Sequence, residues 1–196
     1  MSSVEDVVRS LDAGDLVVIP TDTVYGLACR PDRDESMRAL SALKGRLPGQ
    51  PLALLAADVA ALIRLVPELD ARLVLPGPYT LVLANPARRL PWLAGGRPDT
   101  IGVRVPDVSG PARDVLDRVG VVAATSANLH GGADPRRVED VPAKILDGVA
   151  AVLDAGELPG TPSTVVDLSG PEPRVLREGA VPGAEALARV ARASAE

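Results

Sequence analysis

The stretch L-V-V-I-P-T-D-T-V-Y-G, residues 16–26, joins a run of apolar β-formers to a segment rich in hydroxyls. Leu16 to Ile19 reads as a strand, because a short unbroken apolar run suits a strand buried on both faces. If the chain stays extended beyond Pro20, Thr21, Thr23 and Tyr25 share one face, since side chains alternate along a strand. Two readings of these hydroxyls stand side by side. Either they line up to hold a small polar ligand, or they belong to a solvated strand built from good β-formers.

Outward from this strand the chain alternates helix and strand. Before it, Ser3 and Asp6 form an S-x-x-D start, Val4, Val7, Val8 and Leu11 follow at helical spacing, and Gly14 ends the helix. After it, Asp34 reads as the cap of a helix carrying Met37, Leu40 and Leu43 on one face. Further strands are expected at 52–55, 80–84, 101–105, 121–125, 151–153, 164–168 and 174–176. Helices are expected after an Asp58 cap and at 110–119, 138–147 and 184–193. This alternation predicts an α/β layer architecture. The strand pairs near 80–105 and 164–176 have no helix between them, so the sheet is expected to be mixed. With no repeat or boundary in sight, residues 1–196 read as a single domain.

Composition narrows the function classes. Hydrophobic residues make up 46% and charged residues 24%, which indicates a globular chain. Charge or proline interrupts every apolar run before it reaches membrane-spanning length, and the N-terminus lacks a signal-peptide pattern, so a cytoplasmic enzyme with no membrane association is the expectation. One cysteine, Cys29, and one histidine, His130, exclude an internal disulfide, a thiolate cluster and a histidine-built zinc site. A net charge of −5 argues against nucleic acid as the primary partner, while leaving room for a local basic patch.

Neither G-x-x-x-x-G-K-[ST] nor G-x-G-x-x-G occurs, so a nucleotide would be held without the usual glycine-rich fingerprints. K-G-R at 44–46 offers two cations in a turn, which suits phosphates and equally suits a helix C-terminus. In I-G-V-R-V at 101–105, Arg104 shares a face with Gly102, where an anion has room to lie; the alternative is an ordinary exposed charge. T-S-A-N at 125–128 closes an apolar strand, the place where open α/β sheets bind ligands, or else forms a plain turn. S-T-V-V-D at 163–167 and L-R-E-G at 176–179 end strands on polar residues beside turns. His130 has no identifiable carboxylate partner and reads as a surface residue.

Taken in order, these segments resemble the YrdC-like family, the bacterial threonylcarbamoyl-AMP synthases, in its short single-domain form. The resemblance rests on P-T-D-T-V-Y-G-L at 20–27, K-G-R at 44–46, P-L at 51–52, P-G-P-Y-T-L-V-L at 76–83 and T-I-G-V-R-V-P at 100–106. It continues through T-S-A-N at 125–128, S-T-V-V-D-L at 163–168 and L-R-E-G-A at 176–180, with the motif-bearing core over residues 4–182. It implies a twisted, open, mixed sheet with flanking helices around a concave cavity. The implied reaction joins L-threonine, bicarbonate and ATP into threonylcarbamoyl-AMP with release of pyrophosphate, for modification of a tRNA adenosine beside the anticodon.

The same resemblance implies residue roles. Lys44 and Arg46 would act in catalysis and hold the ATP phosphates, with Gln50, Thr100, Ser126, Asn128, Arg136 and Arg177 on the nucleotide side. Thr23, Tyr25, Arg104, Ser126 and Ser163 would hold threonine, Arg104 pairing its carboxylate. Mg2+ would accompany ATP without a protein-held metal site. A weak contact with tRNA and a downstream threonylcarbamoyl transferase complex are the implied partners. The chain departs from the commoner family pattern at Leu47-Pro48, Leu55, Pro162, Glu178, His130 and Arg136. Two competing readings are an RNA-holding module without adenylation and a carbamoyl-transfer domain acting on another carbamate.

Overall fold

A computed structural model describes residues 1–47 and 49–195; Pro48 of the K-G-R-L-P turn lies outside them. Helix α1, Val4–Ala13, starts on a reciprocal capping box between Ser3 and Asp6 and stops where Gly14 turns left-handed at φ 93°. The other helices are α2 Asp34–Lys44, α3 Val59–Leu65, α4 Gly110–Val119, the single turn α5 Ala143–Leu146, and α6 Gly183–Ala195. Asp58 caps α3 as expected, accepting from the Ala61 amide, whereas α2 starts from Arg33 with Asp34 already inside it.

The described strands are β1 Val17–Ile19, β2 Gly26–Cys29, β3 Ala53–Ala56, β4 Tyr79–Ala84, β5 Thr100–Arg104, β6 Val121–Ser126, β7 Ala151–Val152, β8 Thr164–Asp167 and β9 Arg174–Arg177. They form one mixed sheet in the order β7-β1-β2-β6-β3-β5-β4-β8-β9. The parallel pairs are β1 with β7, β3 with β5 and β4 with β8; the others run antiparallel.

Two expectations need correction. The helix expected over 138–147 is a 3-10 turn, Val138–Asp140, followed by α5. Pro142 separates them: its ring holds Val141 extended at ψ 125°, outside helical range. The segment 20–25 is also not extended. It folds into a compact loop between β1 and β2, which pair antiparallel from Ile19 opposite Gly26. The Thr21 hydroxyl closes the loop by accepting the Thr23 and Val24 amides, each at 3.2 Å, and donating to the Val24 carbonyl at 2.7 Å.

The sheet separates two apolar layers. On one face Leu27, Leu54, Leu81, Val103 and Val166 pack with Met37 and Leu40 of α2, Leu62 of α3, Ile145 of α5 and Val190 of α6. On the other, Val7, Val8 and Leu11 of α1 and Val115 and Leu116 of α4 cover Val17, Ile19, Ala28, Val122 and Ala124. That second layer stops near β3. Beyond it, Thr80 and Val82 of β4, Gly102 of β5 and Val165 of β8 stay half-exposed while their in-line neighbours are buried. The uncovered half of this face is where a ligand has room.

Because the 20–25 loop bends, Tyr25 leaves the face of Thr21 and Thr23 and enters the core. Its hydroxyl accepts the Ala155 amide at 3.0 Å and lies 2.8 Å from both Asp154 Oδ1 and the Gly156 carbonyl. Burial pushes its pKa to about 12. Tyr25→Phe is expected to cost about 1–3 kcal/mol, the usual toll for stranding buried hydrogen-bonding groups. Urea unfolding measures it. Any ligand of the cavity should bind the variant as tightly as the wild type.

Candidate active site

The bare half of the sheet is the floor of a cavity of about 510 Å3, large enough for a ligand of nucleotide size. Its floor is Thr80, Val82, Thr100, Gly102, Arg104 and Val165; Thr21, Thr23, Thr125, Ser126 and Ser163 supply hydroxyls around it. Leu52, Leu55 and Leu176 give it apolar walls. At one edge, Gly95 sits at φ 61° so close to Gly49 that a Cβ there would lie 2.3 Å from the Gly49 carbonyl oxygen. Only glycine permits that approach, which draws the 91–97 segment against the turn after α2.

Charge in the cavity runs against the charge of the chain. Its lining includes Arg97, Arg104 and Arg177 and, among the described residues, no aspartate or glutamate, although the protein carries a net −5. Arg104 is the most deeply placed, only 6% exposed. Its Nη2 donates to Asp22 and, at 3.1 Å, to the Thr23 hydroxyl, while its buried Nε–H has no acceptor among the described residues. Arg177 donates to the carbonyl of Ser163 at 2.8 Å and its hydroxyl at 3.2 Å, and Ser163 in turn meets Thr80 at 2.8 Å. Arg97 is anchored on Asp167 and Ser169.

A second cationic group lies at the edge of β6. The Lys44 ammonium, buried at the end of α2, reaches the Ser126 carbonyl at 2.6 Å, the Asn128 carbonyl at 2.9 Å and Asn128 Oδ1. Ser126 Oγ donates to the same Asn128 Oδ1 at 2.7 Å. Arg46 reaches the Thr125 hydroxyl at 3.0 Å and the Pro51 carbonyl, and its Nε–H is buried without an acceptor among the described residues. K-G-R and T-S-A-N, 79 residues apart from Arg46 to Thr125, are thus one cluster joined across α2 and β6.

Most of the residues that the sequence singled out converge here, in unequal ways. Thr23, Thr100, Arg104, Ser126, Ser163 and Arg177 line the cavity. Lys44, Arg46 and Asn128 form its supporting edge, the Lys44 ammonium being taken up by the turn it holds. Gln50 stands beside the lining residues Gly49 and Pro51, its side chain accepting the Leu47 amide at 3.3 Å. Two placements differ from expectation. Tyr25 is a core residue, for the reason given above, and Arg136 lies outside the cavity on the exposed surface, paired with Glu157 at 2.8 Å. Sequence reasoning passed over Asp22, Thr80 and Arg97. Asp22 was visible inside the P-T-D-T motif, whereas Arg97 sits in a loop with no periodicity to mark it.

Comparison with known proteins identifies the family and the fold. A family model described as Telomere recombination, covering Sua5, YciO and YrdC proteins, matches residues 9–179. A Mycobacterium tuberculosis protein is 36% identical over 181 residues, 89% of this chain and 82% of its own. The threonylcarbamoyl-AMP synthase of Vibrio campbellii is 31% identical over 190 residues, 91% of this chain and 100% of that protein. The structure of Pyrococcus abyssi Sua5 complexed with L-threonine superposes with a TM-score of 0.85 at 30% identity, covering 95% of this chain and 56% of that one. The chain thus spans a little over half the length of that archaeal protein.

The Lys44 latch gives a pH signature. Burial, and then the nearby Arg46 guanidinium, lower the Lys44 pKa from 10.5 to about 8. Between those values the unfolded chain holds a proton that the folded chain releases, so the contribution of this group to stability rises with pH across the window. Urea unfolding at intervals from pH 8 to pH 10 should show that rise in the wild type and lose it in Lys44→Met. Equal slopes in the two proteins would contradict it.

Proposed function

The chain belongs to the Sua5/YciO/YrdC family, and we propose that it is a threonylcarbamoyl-AMP synthase acting on L-threonine, bicarbonate and ATP. The observation that carries this reading is the cavity lined by three arginines and no carboxylate within an acidic protein. Every substrate named is an anion or carries a carboxylate. Of the three, Arg104 is held on the sheet floor away from bulk water, where a charge acts on anions more strongly than on an open surface.

On this reading threonine lies over β5, its carboxylate on Arg104 and its hydroxyl among Thr23, Ser126 and Ser163. Arg104 lines the cavity and its guanidinium is anchored through Nη2, which leaves it donor capacity for a carboxylate. The ATP phosphates lie toward Arg46, Ser126 and the Lys44 turn, and Thr100 and Arg177 face the nucleotide. Bicarbonate and the threonine amine give N-carboxy-threonine, with loss of water. Its new carboxylate oxygen attacks the α-phosphorus, the bond to the β-phosphate oxygen breaks, and pyrophosphate leaves. The chain's part is to orient these groups and to stabilise charge as it moves to the leaving pyrophosphate.

No group of three or more potential metal-ligating side chains occurs among the described residues. Magnesium, on this reading, arrives bound to the triphosphate and is not held by the protein's own carboxylates. No helix among the described residues is long and apolar enough to cross a membrane. The product would pass to a separate transferase that modifies tRNA in the cytoplasm.

Pyrophosphate release in the presence of ATP and magnesium is expected to require both threonine and bicarbonate; release without threonine would overturn the reading. Arg104→Ala should raise the threonine KM by about 100-fold, the scale of losing a buried charge-assisted contact, with a far smaller change in the ATP KM. Arg46→Ala should do the reverse.

A further inference from the structure

Resting on the threonine reading above, we propose that Asp22 is a positioning residue that makes Arg104 select a carboxylate over a phosphate. Asp22 lies in the loop between β1 and β2 and is not part of the cavity lining. One of its oxygens takes Arg104 Nη2 and the other takes the backbone amide of Asp107 at 3.1 Å. Both ends of the carboxylate are therefore spent on β5 and the segment that follows it. The pair is well shielded, the side chains of Arg104 and Asp22 being 6% and 10% exposed.

Two consequences follow from this geometry. First, the guanidinium is fixed: Asp22 and the Thr23 hydroxyl hold Nη2, and the Thr23 hydroxyl is itself braced by Thr21 at 2.9 Å. Arg104 still lines the cavity, with its guanidinium held through Nη2. Second, the charge is moderated. Arg177 adds positive potential at Arg104, while Asp22 opposes it. Without Asp22, Arg104 and Arg177 would present two guanidinium charges with no carboxylate paired to Arg104, a setting that favours a doubly charged phosphate. With Asp22 behind Arg104, a dianion entering that corner meets a buried negative charge. A singly charged carboxylate meets less of this repulsion and gains an oriented donor. The protein must keep threonine and the ATP phosphates in separate parts of one cationic cavity, and this ion pair supplies the difference.

The test is calorimetric titration of the full chain with L-threonine, with and without inorganic phosphate, without turnover. Phosphate should leave the wild-type threonine Kd within about twofold, whereas in Asp22→Asn it should compete and raise the apparent Kd by about tenfold. The ATP KM of Asp22→Asn should stay within about twofold of wild type, a split that general loosening of the cavity would not give. Asp22→Glu, which keeps the charge, should resist phosphate as the wild type does, and it decides the matter if Asp22→Asn does not fold. Phosphate competition in the wild type or in Asp22→Glu overturns the proposal, as does its absence in a folded Asp22→Asn. A wild-type chain that binds no threonine would instead contradict the reading on which the proposal rests.

Discussion

One face of the central sheet is covered over only half its width, and the rest of the structure answers to that constraint. Helices α1 and α4 bury β7, β1, β2 and β6 beneath a continuous apolar layer. No such layer continues over β5, β4 and β8, whose residues on that face are Gly102, Arg104, Thr80, Val82 and Val165. The opposite face of the same strands carries Ile101, Val103, Leu81, Leu83 and Val166 in the main core. The period-2 alternation of a strand thus separates a buried side from an open side along the same strands. The folding energy is drawn from the buried faces, which leaves the open face free to carry polar and cationic groups.

Burying cations requires partners, and the partners tie distant segments together. Lys44 is held by the carbonyls of Ser126 and Asn128 at the end of β6, and Arg104 by Asp22. Each of these bonds joins residues more than 80 positions apart in sequence. Their donors are used unevenly: the buried Nε–H groups of Arg46 and Arg104 have no acceptor among the described residues. An unsatisfied buried donor costs free energy, so these two guanidinium groups are held in place at a cost that the surrounding packing must offset.

How much of this could be read from the sequence depends on the range of the interactions involved. The Ser3–Asp6 capping box, the Gly14 stop and the Asp58 cap are local and were plain in the sequence, as was the alternation that sets Arg104 and Gly102 on one face. The order of the strands was not legible, because parallel partners such as β4 and β8 are chosen by packing across the whole domain. Tyr25 shows the limit of a periodicity argument. Extrapolating the β1 alternation past Pro20 put it beside Thr23, but the Thr21 hydroxyl bends the chain and sends the ring into the core. Arg136 failed for a different reason: a surface ion pair with Glu157 leaves no trace in sequence spacing. Asp22 was conspicuous in its motif, yet its role needed the structure, since Arg104 and Asp107 meet it from the far end of β5.

On the proposed function, the bare half of the sheet holds threonine and the ATP phosphates side by side. A crystal structure of the chain with L-threonine and a non-hydrolysable ATP analogue would show this. The threonine carboxylate is expected on Arg104, the triphosphate toward Arg46 and Ser126, and Asp22 still bonded to Arg104. Threonine bound away from Arg104, or the triphosphate seated on it, would overturn the proposed arrangement.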